Sequence, residues 1–139
     1  MAHWLFKEEP GTYSFTNLER DGSTTWSGVT NALAQKHLRT IKKGDTVFFY
    51  HTGDEKAVVG VMEVTADPTP DRDDPAGKRV VVTVKPIGKL KVPVSLATIK
   101  ADKAFAEWEL VRISRLSVMP VPDELWKKIE KMGGSVPDS

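Results

Sequence analysis

Apolar positions change period twice along this chain. "HWLFK" (3–7) is a short apolar run closed by Pro10-Gly11, which predicts a first strand. "YSFTNLERDG" (13–22) predicts a brief helix capped by Ser14 and stopped at Gly22. Across 29–41, Val29, Ala32, Leu33, Leu38 and Ile41 fall near a 3.6-residue spacing, with Lys and Arg gathering at the end, and predict an amphipathic helix. From residue 46 the period becomes two. "TVFFYH" (46–51), "AVVGVMEVTA" (57–66) and "RVVVTVKPI" (79–87) are β-branched and aromatic runs, divided by turn chemistry at Gly53-Asp54 and by a polar loop at 67–78. "PVSLATIKAD" (93–102) predicts a short helix capped by Ser95, and "RLSVMPV" (115–121) one more strand. Pro122-Asp123 opens a last helix through Met132, with Leu125, Trp126 and Ile129 inward, ended by Gly133-Gly134 before a short tail over 133–139. The expectation is an α+β protein: a mainly antiparallel, barrel-like sheet surrounded by short helices.

The totals narrow the class. At 139 residues the chain is expected to be one domain, 1–139, burying roughly two-thirds of its unfolded surface. A composition of 40% hydrophobic and 28% charged residues is that of an ordinary globular protein. No run of about 18 apolar residues occurs, so no membrane span or membrane partner is expected. "MAHWLFKEEP" does not suit a signal peptide. The absence of cysteine excludes disulfides and thiolate metal sites and fits a cytoplasmic setting, or a nuclear one in a eukaryote. A net charge of +1 makes no global case for nucleic acid, but its distribution is uneven: residues 1–70 sum to −2 and residues 71–139 to +3. Five basic residues and no acid lie from Lys78 to Lys91, and Lys36, His37, Arg39, Lys42 and Lys43 form a second basic group. Such stripes matter where they flank a pocket; otherwise they are solvated faces.

Motifs of catalysis are missing. The three histidines, His3, His37 and His51, make no H-E-x-x-H or H-x-E pairing, so no metal or cofactor is expected. Neither phosphate-loop pattern nor a G-x-S-x-G elbow occurs. Polar and aromatic residues instead gather where predicted strands end: Lys7 and Glu8, Tyr50 and His51, then Ser114, Arg115 and Ser117. Each has a plain alternative. Lys7 is solvated, Tyr50 and Trp26 are core, Arg115 pairs with Glu8 or Glu9, or His51 is a satisfied surface histidine.

Several blocks together resemble one family. "HWLFKEEP", "TTWSGVTN", "GDTVFFYHTGDEKAVVGVMEV" and "SRLSVMPVPDELW" occur in the order of the EVE domain signature, over about residues 3–130. The chain is identified as a member of that family, which includes proteins of the thymocyte nuclear protein type. The resemblance implies a PUA-like fold related to YTH domains, and a non-catalytic, monomeric module that reads a modified, for example methylated, base in DNA or RNA. It implies that Trp26 walls an aromatic pocket, with Lys7, Glu8, Ser27, Gly28, Asn31, Tyr50, His51, Arg115, Leu116 and Ser117 around it. Within that picture Trp26 stacks on the base, Asn31, Tyr50 and Ser117 read its edge, and Lys7 and Arg115 take flanking phosphates, with Lys36, Arg39 and Lys89 further out. Glu8, Ser27 and Thr30 depart from the usual Ser or Thr, Asp and Arg of the family blocks, which bears on the preferred ligand. Two rivals remain: a metal-independent nucleic-acid-processing enzyme or amide hydrolase using His51 with Glu8, and a pocket for a free nucleobase or nucleoside.

Overall fold

Strand β1 (His3–Glu8) and strand β3 (Thr46–His51) run parallel, in register from His3 opposite Thr46 to Glu8 opposite His51. Between them the chain forms helix α1 (Phe15–Asp21), strand β2 (Thr24–Trp26) and helix α2 (Ala32–Thr40). Strands β4 (Ala57–Val64), β5 (Thr69–Pro70) and β6 (Val80–Ser95) follow. Then come α3 (Leu96–Lys100), a 3-10 turn (Lys103–Phe105), α4 (Glu109–Arg112), β7 (Val118–Pro120) and α5 (Asp123–Gly133). This is a computed structural model that describes residues 2–134, so the rest of the expected tail lies outside the described residues.

The strands form one curled sheet in the order β2-β6-β4-β3-β1-β7, with β5 on β6. All its pairings are antiparallel except β1 with β3. Its end strands β2 and β7 do not pair, so the expected barrel is a half-barrel.

The expected strand at 79–87 continues to Ser95, which caps the short helix as expected, so that α3 starts at Leu96. Proline normally ends a strand, but here both prolines stand at irregularities of the ladder. Pro86 faces Met62 next to the register shift after Val61. Pro93 lies in the stretch 90–93, which stands opposite the lone Val59. The bulges bend β6 and curl the sheet.

Helix boundaries follow their caps. Ser14 and Asn17 exchange hydrogen bonds in a capping box at the start of α1, and Gly22 closes it. Helix α2 begins later than expected, because Asn31 stands in extended backbone and its Oδ1 accepts the Ala34 N–H at 3.0 Å. That start sets the buried stripe to Ala34, Gln35 and Leu38, leaving Ala32 and Leu33 exposed. A glutamine serves in the core because its amide is satisfied: Nε2 donates to Val29 O at 2.8 Å and Oε1 accepts from Val80 N at 2.9 Å.

Side chains on the two faces of β1 and β3 enter different layers. Phe6 and Phe49 point to the face that carries Trp26 and Phe15. On the opposite face the Trp126 ring of α5 stacks between Phe48 at 3.7 Å and His3 at 4.3 Å. The buried carboxylate of Asp45 accepts from Trp4 Nε1 at 2.9 Å and Lys42 N at 3.0 Å, fixing the entry to β3.

Candidate nucleic-acid interface

Trp26 ends β2, and its ring enters the core. It meets Phe49 edge-on, with centroids 5.4 Å apart and planes at 84°, and Phe6 at 5.2 Å. Only 5% of the residue is exposed. The exposed part borders a cleft of about 310 Å³, whose opposite wall carries Lys7, Glu8, Arg115 and Ser117. Trp26 is therefore both a core residue and a cleft wall. It is the one aromatic lining this cleft, which is thus unlike a cage of several aromatic faces. The indole N–H has no protein partner among the described residues and is not sealed from solvent, which leaves a free donor.

The remaining wall is the segment Ser27–Asn31, which leads from β2 into α2. Gly28 stands at φ +75°, a left-handed conformation that disfavours any side chain, and an added Cβ would meet nothing within 4 Å. The open space beside Trp26 thus belongs to the backbone path itself. The Gln35 amide, through Val29 O, anchors the segment from below. Asn31 borders the cleft while capping α2, so its Oδ1 is engaged and its amide nitrogen remains as a donor.

Eight expected site residues thus meet: Lys7, Glu8, Trp26, Ser27, Gly28, Asn31, Arg115 and Ser117. Three do not line this cleft. Leu116 is core, 1% exposed. His51 is buried under α1, where Nε2 accepts the Phe15 N–H at 3.1 Å and Nδ1 lies 2.6 Å from Glu55 Oε1. With both ring nitrogens committed, His51 has none left for Glu8, whose Oε1 accepts the Glu9 N–H at 3.0 Å. Tyr50 points to the other face of the sheet, beneath Lys7 of the neighbouring strand.

Charge at the cleft comes from three side chains, the cations of Lys7 and Arg115 and the carboxylate of Glu8. Arg115 is exposed and makes no ion pair with a carboxylate among the described residues, so neither Glu8 nor Glu9 neutralises it. Lys7 Nζ donates to Ser114 O at 2.9 Å and lies 5.6 Å from the Tyr50 ring centroid. Burial lowers its pKa below the ordinary lysine value and raises that of the Tyr50 phenol. The expected outer contacts lie elsewhere. Lys89 pairs with Glu19 at 3.4 Å, Arg39 donates to Lys78 O at 2.9 Å, and neither these nor Lys36 line the cleft. The basic run along β6 is largely neutralised in place, since Lys85 pairs with Glu63 and Arg79 with Asp74. Among the described residues no three of His, Asp and Glu converge as a metal site would require, and no helix is long and apolar enough to cross a membrane.

A second cavity of about 250 Å³ adjoins Lys7 on the Tyr50 side, lined also by Thr52, Lys56 and Lys100. Sequence reasoning missed it. The signal present was the "HTGDEK" turn, whose last residue brings a lysine back towards the strand ends.

Comparison with known proteins places this geometry. Protein Rpa0253 from Rhodopseudomonas palustris superposes with a TM-score of 0.91 at 40% identity, over 96% of this chain and 94% of that one. Human thymocyte nuclear protein 1 is 29% identical over 157 residues, spanning 88% of this chain and 70% of that protein. The human THYN1 structure, a complex with DNA containing 5-methylcytosine, superposes with a TM-score of 0.87 at 27% identity, covering 99% of this chain and all of that one. A YTH domain of Zygosaccharomyces rouxii, bound to RNA containing N6-methyladenosine, shares the fold, with a TM-score of 0.56 at 20% identity. The half-barrel, the late start of α2 and the cleft beside Trp26 lie within a match to the EVE domain that runs over residues 2–132, and the chain belongs to the EVE domain family.

Proposed function

We propose that this chain is a nucleic-acid-binding module that seats a modified base in the cleft between Trp26 and Arg115. The observation that carries the reading is the human relative, which shares the whole fold and is seen in complex with 5-methylcytosine-containing DNA. The residues of the cleft are suited to the task. Arg115 and Lys7 provide positive charge for phosphates. Ser27, Ser117, the Asn31 amide and the Trp26 N–H provide hydrogen-bonding groups for a base edge, and the backbone at Gly28 leaves room for the base. Because Trp26 spends most of its surface on Phe6 and Phe49, edge contacts outweigh stacking in choosing the base. A methyl group buried in the cleft contributes about 0.8 kcal/mol, a preference of several-fold over the unmodified base.

The test is a fluorescence titration with matched single strands carrying one central cytosine or 5-methylcytosine. The parent protein is expected to prefer the methylated strand several-fold. Arg115→Ala weakens both strands alike and lowers the salt slope by about 0.7 per lost phosphate contact. Trp26→Phe and Ser117→Ala reduce the preference for the methylated base. Parental affinity and preference in all three variants would sink the reading.

A further inference from the structure

The cavity on the far side of Lys7 is lined by three lysines, Lys7, Lys56 and Lys100, and by no carboxylate. None of the three is ion-paired among the described residues. Tyr50 forms the floor. The residue is 3% exposed, yet its hydroxyl makes no hydrogen bond with a protein group among the described residues and is not sealed off. A nearly buried phenol facing a cavity without an acceptor is a donor awaiting one. Thr52 adds a second hydroxyl, and Leu96 and Leu110 form an apolar side. Lys56 holds φ at +46°, the one non-glycine residue with positive φ among those described. Glycine would relieve that backbone, but lysine keeps a cationic residue on the cavity wall.

From this geometry we propose that the cavity is a phosphate-binding site, in which Lys7, Lys56, Lys100 and the Tyr50 hydroxyl take the phosphate adjacent to the nucleotide in the cleft. The link is Lys7, which borders both hollows. A phosphate placed beside its half-buried ammonium supplies the counter-charge that burial otherwise withholds. The inference rests on the nucleic-acid reading for the source of the phosphate, and on the cavity alone for the phosphate site. The same chemistry serves a free phosphomonoester, so the experiment separates the two sources.

The variant is the double substitution Lys56→Gln/Lys100→Gln, at exposed positions, with Tyr50→Phe as a second variant that keeps the ring and removes the hydroxyl. Strands with one central 5-methylcytosine are compared with copies carrying an uncharged methylphosphonate at a linkage flanking that base. The parent is expected to bind the charged strand about ten-fold more tightly than one of these copies. The double variant binds both equally, and its salt slope is lower by about 0.7. Tyr50→Phe shows a smaller loss of the same kind. Inorganic phosphate and deoxycytidine monophosphate are titrated in parallel, with the lysine side-chain NMR signals as readout. Loss of deoxycytidine monophosphate binding in the double variant, with strand affinity unchanged, overturns the strand as source and supports the site as one for a free phosphomonoester. A parent that binds no strand overturns the cleft reading, and movement of the Lys56 and Lys100 signals by phosphate still supports the site. Unchanged strand affinity, slope and discrimination, with those signals unmoved, overturns it altogether.

Discussion

Phe15 lies so close over Gly60 that a Cβ built on that glycine would stand 2.6 Å from the ring's Cε1. The ring is itself held edge-on against Phe49 at 5.5 Å, and its residue is 1% exposed, so it has nowhere to retreat. Gly60→Ala is expected to destabilise the fold by about 1–3 kcal/mol through overpacking. The check is the urea midpoint; a midpoint at or above the parent's would show that α1 can shift aside.

On the proposed reading Trp26 couples stability to recognition. Trp26→Ala leaves a cavity between Phe6 and Phe49 and is expected to cost about 3–5 kcal/mol of stability, whatever it does to binding. Trp26→Phe keeps most of the packing while removing the indole N–H. Denaturation of the two variants beside the parent separates the roles. An alanine variant as stable as the parent would mean that the ring is not part of the core.

His51 is structural in this fold. His51→Ala leaves the Phe15 N–H without its acceptor at the start of α1, with an expected loss of about 1–3 kcal/mol. Strand affinity is expected to stay at the parental level, since the imidazole lies away from the cleft. The outcome that contradicts this is normal stability with binding abolished.

Acid weakens the protein through two other histidines. His3 and His37 are both held below the ordinary histidine value of 6.5, chiefly by burial, against the opposing pull of Asp123 and Glu130 on His3 and of Glu109 on His37. Nε2 of His37 is sealed with no hydrogen-bond partner among the described residues, so a proton there would gain nothing. The unfolded chain protonates both near pH 6.5 and the folded protein only at lower pH. Their stability is therefore fully present above about 6.5 and is lost as pH falls through the folded-state values. Urea midpoints are expected to decline below that pH, and His37→Leu to flatten part of the decline. An unchanged slope in that variant would remove His37 from the account.

What could be read from the sequence were local signals with one cause each. Ser14, Gly22 and Ser95 set helix ends as expected, because caps act within a turn of the residue that makes them. Leu33 misled because hydrophobicity alone hides the phase of α2, which the Asn31 cap and the buried Gln35 amide decide. Pro86 and Pro93 concealed the length of β6, since the bulges that accommodate them arise from pairing with β4. At the site, Lys7, Trp26 and Arg115 were legible as a group through the order of the family blocks. The separation of Tyr50 from the cleft was not, because which face of β1 or β3 a side chain takes depends on register with a strand about 40 residues away.

The parallel pairing of β1 with β3 has a further implication for how binding preference changes over time. A parallel pair requires a crossover, and here the crossover itself carries the wall of the cleft from Trp26 to Asn31. Residues 27–31 belong to no ladder, so exchanging Ser27 or Thr30, or altering the path there, rewrites the proposed recognition surface without moving a strand. Preference for a ligand can therefore diverge among relatives while the scaffold stays superposable, and the departures at Ser27 and Thr30 sit on the part of the chain where such drift meets least resistance.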